Sequence, residues 1–143
     1  YEIASTNFQS NLKTNIVFAA ASGLEDDTLK IYKSNAKSNH SSTSILKRTN
    51  TFNEYDEVKN YHITTLLNET KPDIVKVDIE GAEFGIIDEI ISYRPDVLFI
   101  EIHGNHDQSR EAVQKLTAAY SNNEIEEIII FQKVGGYDCL YYK

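Results

Sequence analysis

Two apolar segments separated by a helix-length stretch most constrain what this chain can fold into. The segments are Asp73–Ile79 and Val97–Ile102, and both are rich in β-branched residues. Short apolar runs of this kind are typical of strands buried on both faces, as in a parallel sheet covered by helices. Strand–helix–strand units of this kind have a right-handed crossover in nearly all proteins. We therefore expect adjacent parallel strands, joined by a helix from about Gly81 to Tyr93 that ends before Pro95.

The rest of the chain continues the alternation of strands and helices. A stripe of apolar residues at helical spacing (Phe84, Ile87 and Ile91) is expected to face the core from the helix after the first segment. Asp107 is the predicted cap of a further helix, which would bury Val113, Leu116 and Tyr120. Other predicted elements are strands at Asn15–Ala21 and Thr28–Lys33, a loop or loose hairpin at Asn35–Asn53, an extended Glu54–Ile63, a short helix at Thr64–Glu69, and a C-terminal hairpin of Ile125–Phe131 and Tyr137–Tyr142.

The pattern predicts one α/β domain over residues 1–143, with a mostly parallel sheet and an antiparallel C-terminal hairpin. Fourteen Lys and Arg residues against 22 Asp and Glu give a net charge of −8, which disfavours nucleic acid or an anionic membrane as a partner. No apolar run reaches the ~20 residues of a membrane helix. We expect a cytoplasmic protein, and the sequence leaves its oligomeric state open.

Carboxylates and imidazoles follow both apolar segments, where ligands bind in parallel α/β sheets. Asp78 and Glu101 each interrupt an apolar run, and an isolated buried carboxylate is costly. Like charges crowded at one edge suit acid–base or metal chemistry. The structural alternative is that Glu80 and Glu83 only favour the start of a helix through its dipole. The residues at this edge are Asp78, Glu80, Glu83, Glu101, His103, His106 and Asp107.

One stretch, Lys71–Glu83, closely resembles the signature of FkbM-type S-adenosylmethionine-dependent methyltransferases. In that family a strand reading Lys-apolar-Asp-apolar-Glu-Gly-Ala-Glu leads into a helix. The resemblance extends over nearly all of the chain, although Leu67 stands where the family usually has Asp. The further segments that resemble the family are Tyr1–Glu2, Ala19–Gly23, Ser41–Leu46, Ile63–Leu66 and Phe99–His103.

The resemblance implies a Rossmann-like class I methyltransferase fold with S-adenosylmethionine as cofactor. It implies transfer of a methyl group to an oxygen of a small molecule or sugar, and it implies no metal ligand. Glu2 would hold the cofactor ribose. The cofactor-binding residues implied are Glu2, Ile3, Ala20, Ala21 and Asp78, and the candidates for catalysis or acceptor binding are Asp78, Glu80, Glu101 and His103.

The resemblance also implies a strand and a Gly-rich cofactor turn upstream of Tyr1. That strand would be central in the sheet, where a vacant position would leave two rows of backbone groups unpaired. The turn would approach the amino-acid end of the cofactor closely, as Gly permits. We therefore expect residues 1–143 by themselves to bind S-adenosylmethionine poorly.

Two alternatives of different classes stay open at this point. The chain could be a truncated, non-catalytic domain that binds a partner through an exposed sheet edge. It could also be a metal-dependent phosphoesterase, because Gly104-Asn105-His106-Asp107 matches a ligand tetrapeptide of that class. The second alternative is less favoured, since the other motifs of such two-metal enzymes are absent from the sequence.

Overall fold

The computed structural model describes Val17 and residues 19–33, 43–44, 54–121, 127–133 and 136–142. Strands and helices alternate along these residues. The elements are β1 (Ala20–Ser22), β2 (Thr28–Lys33), β3 (Thr43–Ser44), β4 (Tyr55–His62), α1 (Ile63–Thr70), β5 (Ile74–Val77), a 3₁₀ turn (Glu83–Gly85), α2 (Ile87–Tyr93), β6 (Val97–His103), α3 (His106–Ser121), β7 (Glu127–Lys133) and β8 (Gly136–Tyr142). Within this part of the chain, no helix has the length and apolar character needed to cross a membrane.

The second half forms a sheet in the order β5-β6-β8-β7. β5 and β6 are parallel neighbours, paired from Ile74 with Val97 to Val77 with Ile100. The chain passes between them through α2, so the predicted strand–helix–strand unit is confirmed. β8 runs antiparallel to both β6 and β7, which confirms the predicted C-terminal hairpin.

The first half forms a second sheet in the order β1-β4-β2-β3. The predicted strand Thr28–Lys33 and the extended segment before α1 are both present, as β2 and β4. β1 and β4 are parallel, whereas β2 is antiparallel to β4 and β3. The α/β class is therefore confirmed, but the described strands form two mixed sheets and not one mostly parallel sheet. Of the predicted strand Asn15–Ala21, Ala20 and Ala21 belong to β1, and residues 15, 16 and 18 lie outside the described part of the chain.

The core lies between the second sheet and its helices. β6 alternates strictly, with Leu98, Ile100 and Ile102 fully buried on one face. Val113, Leu116 and Tyr120 of α3 belong to the same core cluster, as the spacing predicted. Packing of apolar strand and helix faces of this kind supplies most of the stability of a small domain.

The helix after β5 begins later than predicted. It starts at Ile87 and not at Gly81, and residues 83–85 form a 3₁₀ turn. Phe84 is consequently 36% exposed, whereas Ile86, Ile87 and Ile90 are buried. The cause is the bend at residues 80–81, where positive φ angles interrupt helical geometry before the chain can enter α2.

The cap of α3 also differs from the prediction. The side chain of Asn105 caps this helix, because its Oδ1 accepts a hydrogen bond from the Gln108 backbone N–H at 3.0 Å. Asp107 lies inside the first turn, where its charge still complements the helix dipole. Asn and Asp are about equally good caps, so the sequence alone did not decide between these two positions.

A buried polar network fastens the turn between β1 and β2. Asn60 of β4 donates from Nδ2 to the carbonyl oxygens of Leu24 and Asp26, at 2.8 and 2.9 Å. Its Oδ1 accepts from the Ser22 hydroxyl at 3.1 Å, and that hydroxyl accepts from the Leu24 N–H at 3.0 Å. Each polar atom of the Asn60 amide therefore has a partner, which makes its burial tolerable.

We expect Asn60→Ala to destabilise the protein by about 1–3 kcal/mol, because two carbonyl oxygens and the Ser22 hydroxyl lose their partner. Chemical denaturation monitored by circular dichroism measures the change. Asn68→Ala, at an exposed position of α1, is the matched control and should change the free energy of unfolding by less than about 0.5 kcal/mol. Equal effects of the two substitutions would contradict the stabilising role given to the Asn60 hydrogen bonds.

Burial raises the pKa of the Cys139 thiol to about 11. An unfolded chain ionises this thiol near pH 8.5, so the protein should lose stability as the pH rises from about 9 to 11. We expect Cys139→Ala to remove this part of the pH dependence, measured as melting temperature against pH. We also expect alkylation of native protein at pH 8 to be limited by unfolding, which rapid labelling without denaturant would contradict.

Candidate active site at the ends of β5 and β6

The parallel pairing of β5 and β6 places the carboxyl ends of both strands at one edge of the sheet. Glu101 and His103 are two residues apart on β6 and share its less buried face. Glu101 Oε1 lies 3.2 Å from His103 Nε2, and Glu80 Oε2 lies 3.9 Å from the same nitrogen. Asp78, Glu80 and His103 also offer ligand atoms that all lie within 4.8 Å of one another. We call Asp78, Glu80, Glu101 and His103 the carboxylate–histidine cluster.

A bend after β5 carries two members of this cluster. β5 ends at Val77, so Asp78 and Glu80 do not converge through the alternation of a regular strand, as the sequence argument assumed. Glu80 has φ 53° and Gly81 has φ 97°, which turns the chain back on itself. Left-handed geometry is disfavoured by about 1–2 kcal/mol for a non-glycine residue, so contacts of the surrounding residues must hold Glu80 there.

Glu83 supplies those contacts and connects the two strand ends. Its side chain is 0% exposed. Oε1 accepts hydrogen bonds from the backbone N–H groups of Ile79 and Gly81, at 3.2 and 3.0 Å. Oε1 also lies 3.1 Å from His103 Nδ1, and Oε2 accepts from the His103 backbone N–H at 3.4 Å. A carboxylate can be buried in this way because several donors replace its lost water.

This arrangement fixes the orientation of the His103 ring. An ionised carboxylate only accepts hydrogen bonds, so Nδ1 facing Glu83 carries a hydrogen. In the neutral ring the lone pair is then on Nε2, which faces Glu80 and Glu101. His103 can therefore accept a proton or bind a cation through Nε2, while Glu83 stabilises the ring from the opposite side.

Sequence reasoning listed Glu83 among the carboxylates at this edge, with a helix-start role as the alternative, but did not name it as a catalytic or cofactor-binding residue. The one signal was its place in the Glu-Gly-Ala-Glu signature. Its histidine partner is 20 positions further along the chain, so their contact appears only when β5 and β6 pair. The four residues of the carboxylate–histidine cluster were all predicted, and the structure brings them together.

The predicted cofactor-binding residues are only partly placed. Ala20 and Ala21 lie on β1, and Ala21 faces an apolar groove beside β5 that Val77 and Ile79 also line. Asp78 directly follows β5 and belongs to the carboxylate–histidine cluster. Glu2 and Ile3 lie outside the described residues and stay predictions. The structure thus brings Ala21 close to the segment that carries Asp78.

The phosphoesterase-like tetrapeptide has structural roles at the start of α3. A Cβ atom at Gly104 would lie 2.8 Å from the Phe84 ring, so the absence of a side chain at position 104 leaves room for Phe84. Asn105 is the helix cap. The side chains of His106 and Asp107 are 62% and 89% exposed. In the described part of the chain, neither residue belongs to the group whose spacing suits a metal ion.

We expect Glu83→Gln to destabilise the fold by about 1–3 kcal/mol, because an amide loses the charge and turns a donor toward backbone donors. Chemical denaturation measures this change, with Glu111→Gln on the exposed face of α3 as the control of equal charge change. Long-range nitrogen–proton NMR spectra of the imidazole should show the hydrogen on Nδ1 of His103. A ring with its hydrogen on Nε2 alone would contradict the role given to Glu83.

Comparison with known proteins points to one family. The family model of the methyltransferase FkbM domain matches residues 4–139, which includes β1–β8 up to Cys139 and the whole carboxylate–histidine cluster. No curated protein and no solved structure matches the chain significantly.

Proposed function

Because the chain belongs to the FkbM methyltransferase domain family, we propose that it transfers a methyl group from S-adenosylmethionine to an oxygen of a small molecule or sugar. The observation that carries the proposal is the carboxylate–histidine cluster at the adjoining ends of β5 and β6. Ligands of parallel α/β sheets bind at this edge, outside the carboxyl ends of the strands. A Rossmann-like arrangement of the complete sheet is part of the same proposal.

The described residues fit part of such a cofactor. The groove lined by Ala21, Val77 and Ile79 is apolar and suits the flat faces of an adenine ring. Asp78 lies in the chain between Val77 and Ile79, which line that groove, and would offer its carboxylate to polar groups of the cofactor. Glu2 and Ile3 would complete the ribose contacts. When bound, S-adenosylmethionine supplies an electrophilic methyl group on a positively charged sulfur.

The acceptor hydroxyl must lose its proton as its oxygen forms the new bond to carbon. His103 Nε2 is the group placed to take that proton, because Glu83 occupies Nδ1. The imidazolium that results lies between Glu83 and Glu101, whose negative charges stabilise it. The proton then passes from Nε2 to water at the open rim of the site.

We assign binding of the acceptor to Asp78 and Glu80. Their carboxylates flank the side of His103 that carries Nε2, so a hydroxyl bonded to either would lie near the base. Holding the two reacting atoms in line contributes more to such a displacement than any single proton transfer. These residues would therefore affect both acceptor binding and turnover.

We expect His103→Gln, Asp78→Asn and Glu80→Gln each to lower turnover by about 10²-fold or more, since the first removes the imidazole base and the other two keep the side-chain shape but remove a carboxylate. Methyl transfer from isotopically labelled S-adenosylmethionine is measured by mass spectrometry, with vicinal diols and sugars as acceptors, in a protein that includes the upstream strand and Gly-rich turn that the resemblance implies. Asp107→Asn is the matched control, at an exposed position outside the cluster, and should retain activity.

Melting temperatures of the same preparations separate chemistry from stability. The catalytic and acceptor-binding roles are wrong if the variants have lower melting temperatures while their activity per folded molecule is unchanged. Binding of S-adenosylmethionine without transfer to any acceptor would leave cofactor binding in place and overturn transfer to oxygen. Absence of cofactor binding in every form of the protein would favour the non-catalytic alternative.

A further inference from the structure

We propose that Asp78, Glu80 and His103 form a binding site for one hard divalent cation, with Mn²⁺ as the best-fitting ion. One ligand atom of each residue, a carboxylate oxygen or an imidazole nitrogen, lies within 4.8 Å of the other two. Nε2 is the nitrogen that faces Glu80, since Nδ1 contacts Glu83. All three side chains are accessible, with side-chain exposures of 36%, 37% and 18%. The family resemblance implied no metal ligand, although the crowded carboxylates at this edge suited metal chemistry. The site does not depend on methyl transfer: a ring whose Nε2 holds the ion does not take the acceptor proton, so the ligand and base roles of His103 belong to different states of the protein.

The distances suit a shared ion after small side-chain rotations. Ligands of an octahedral ion with bonds of about 2.1 Å stand about 3.0 Å apart when adjacent and about 4.2 Å apart when opposite. Glu80 Oε2 and His103 Nε2 are 3.9 Å apart, inside this range. Asp78 directly follows β5, and its side chain is 36% exposed, so a rotation of its carboxylate can bring one oxygen closer to the other two ligand atoms.

A second observation, outside the ligand set, points to the same ion. Metal-binding histidines almost always donate their other ring N–H to a carboxylate or a carbonyl, which fixes the ring and strengthens the ligand. Glu83 makes this contact at 3.1 Å from Nδ1, and its side chain is 0% exposed. The buried Glu83 thus directs the Nε2 lone pair toward the two carboxylates.

Charge favours a cation at this edge. Asp78, Glu80 and Glu101 bring three negative charges around one imidazole, and a divalent ion would offset their mutual repulsion. Lys76 Nζ is 3.5 Å from Asp78 Oδ2, which gives only a marginal, exposed ion pair. Glu101 Oε1 lies 3.2 Å from Nε2 and would turn to a metal-bound water.

The donor set selects among metals. Carboxylate oxygens suit Mg²⁺, Ca²⁺ and Mn²⁺, whereas imidazole suits zinc and the later transition metals. Mn²⁺ accepts both kinds of donor, and three protein ligands leave positions for water or for neighbouring hydroxyls of an acceptor. The class of ligand that would join the ion is therefore a vicinal diol or a hydroxy acid.

The direct test is titration of Mn²⁺ into the full chain, without cofactor or acceptor. We expect one bound ion per chain by electron paramagnetic resonance of free Mn²⁺. In proton NMR spectra, the ring signals of His103 should broaden before those of His62 and His106, and EDTA should reverse the effect. Equal broadening of the three rings, or no broadening of His103 at millimolar Mn²⁺, overturns the site.

Variants test the ligands separately from catalysis. Asp78→Asn and His103→Gln should each raise the dissociation constant for Mn²⁺ at least tenfold, and Glu83→Gln should raise it by about 10–100-fold. Asp107→Asn, which removes an exposed charge beside His106, should leave it unchanged. Melting curves identify any variant that does not fold. A folded Asp78→Asn protein that binds Mn²⁺ as the parent does would overturn the proposal. Because no methyl donor is present, failure here is distinct from failure of the proposed transfer.

Discussion

The buried carboxylate of Glu83 is the contact on which the geometry of the site depends. Removing a carboxylate from water is unfavourable by several kcal/mol unless donors replace the solvent. Glu83 has donors on both strand ends, namely the Ile79, Gly81 and His103 N–H groups and the His103 ring. One side chain thus holds the bend after β5, the end of β6 and the direction of the imidazole. Loss of this charge would loosen all three together.

The fold was predictable where apolar pattern decides the structure. The parallel pair β5–β6 and the C-terminal hairpin follow from continuous apolar runs and, for the hairpin, from the Gly-Gly pair at positions 135 and 136 of the sequence. The pattern failed where the backbone angle of one residue, or the contacts of one side chain, determine the local structure. Nothing in a short window indicates that Glu80 adopts a left-handed conformation, and this conformation delays α2 to Ile87.

The candidate site, like the fold, was predictable only in part. Asp78 and Glu101 were recognisable because each interrupts an apolar run, and Glu80 and His103 because they follow at strand ends. Glu83 was placed at this edge, but its role was not recognisable, since that role depends on a partner from the next strand. The cap of α3 was misplaced by two positions for a related reason. Asn105 and Asp107 have similar intrinsic preferences, and the path of the chain after β6 decides between them.

β6 serves two purposes on its two faces. Leu98, Ile100 and Ile102 face the core, and Glu101 and His103 face the site. Because side chains alternate with a period of two, inserting or deleting one residue within β6 would exchange the faces. The charged side chains would then enter the core and the apolar ones the site. This strand should therefore accept many conservative substitutions but no change of length, and length variants of this segment should be recovered only as unfolded protein.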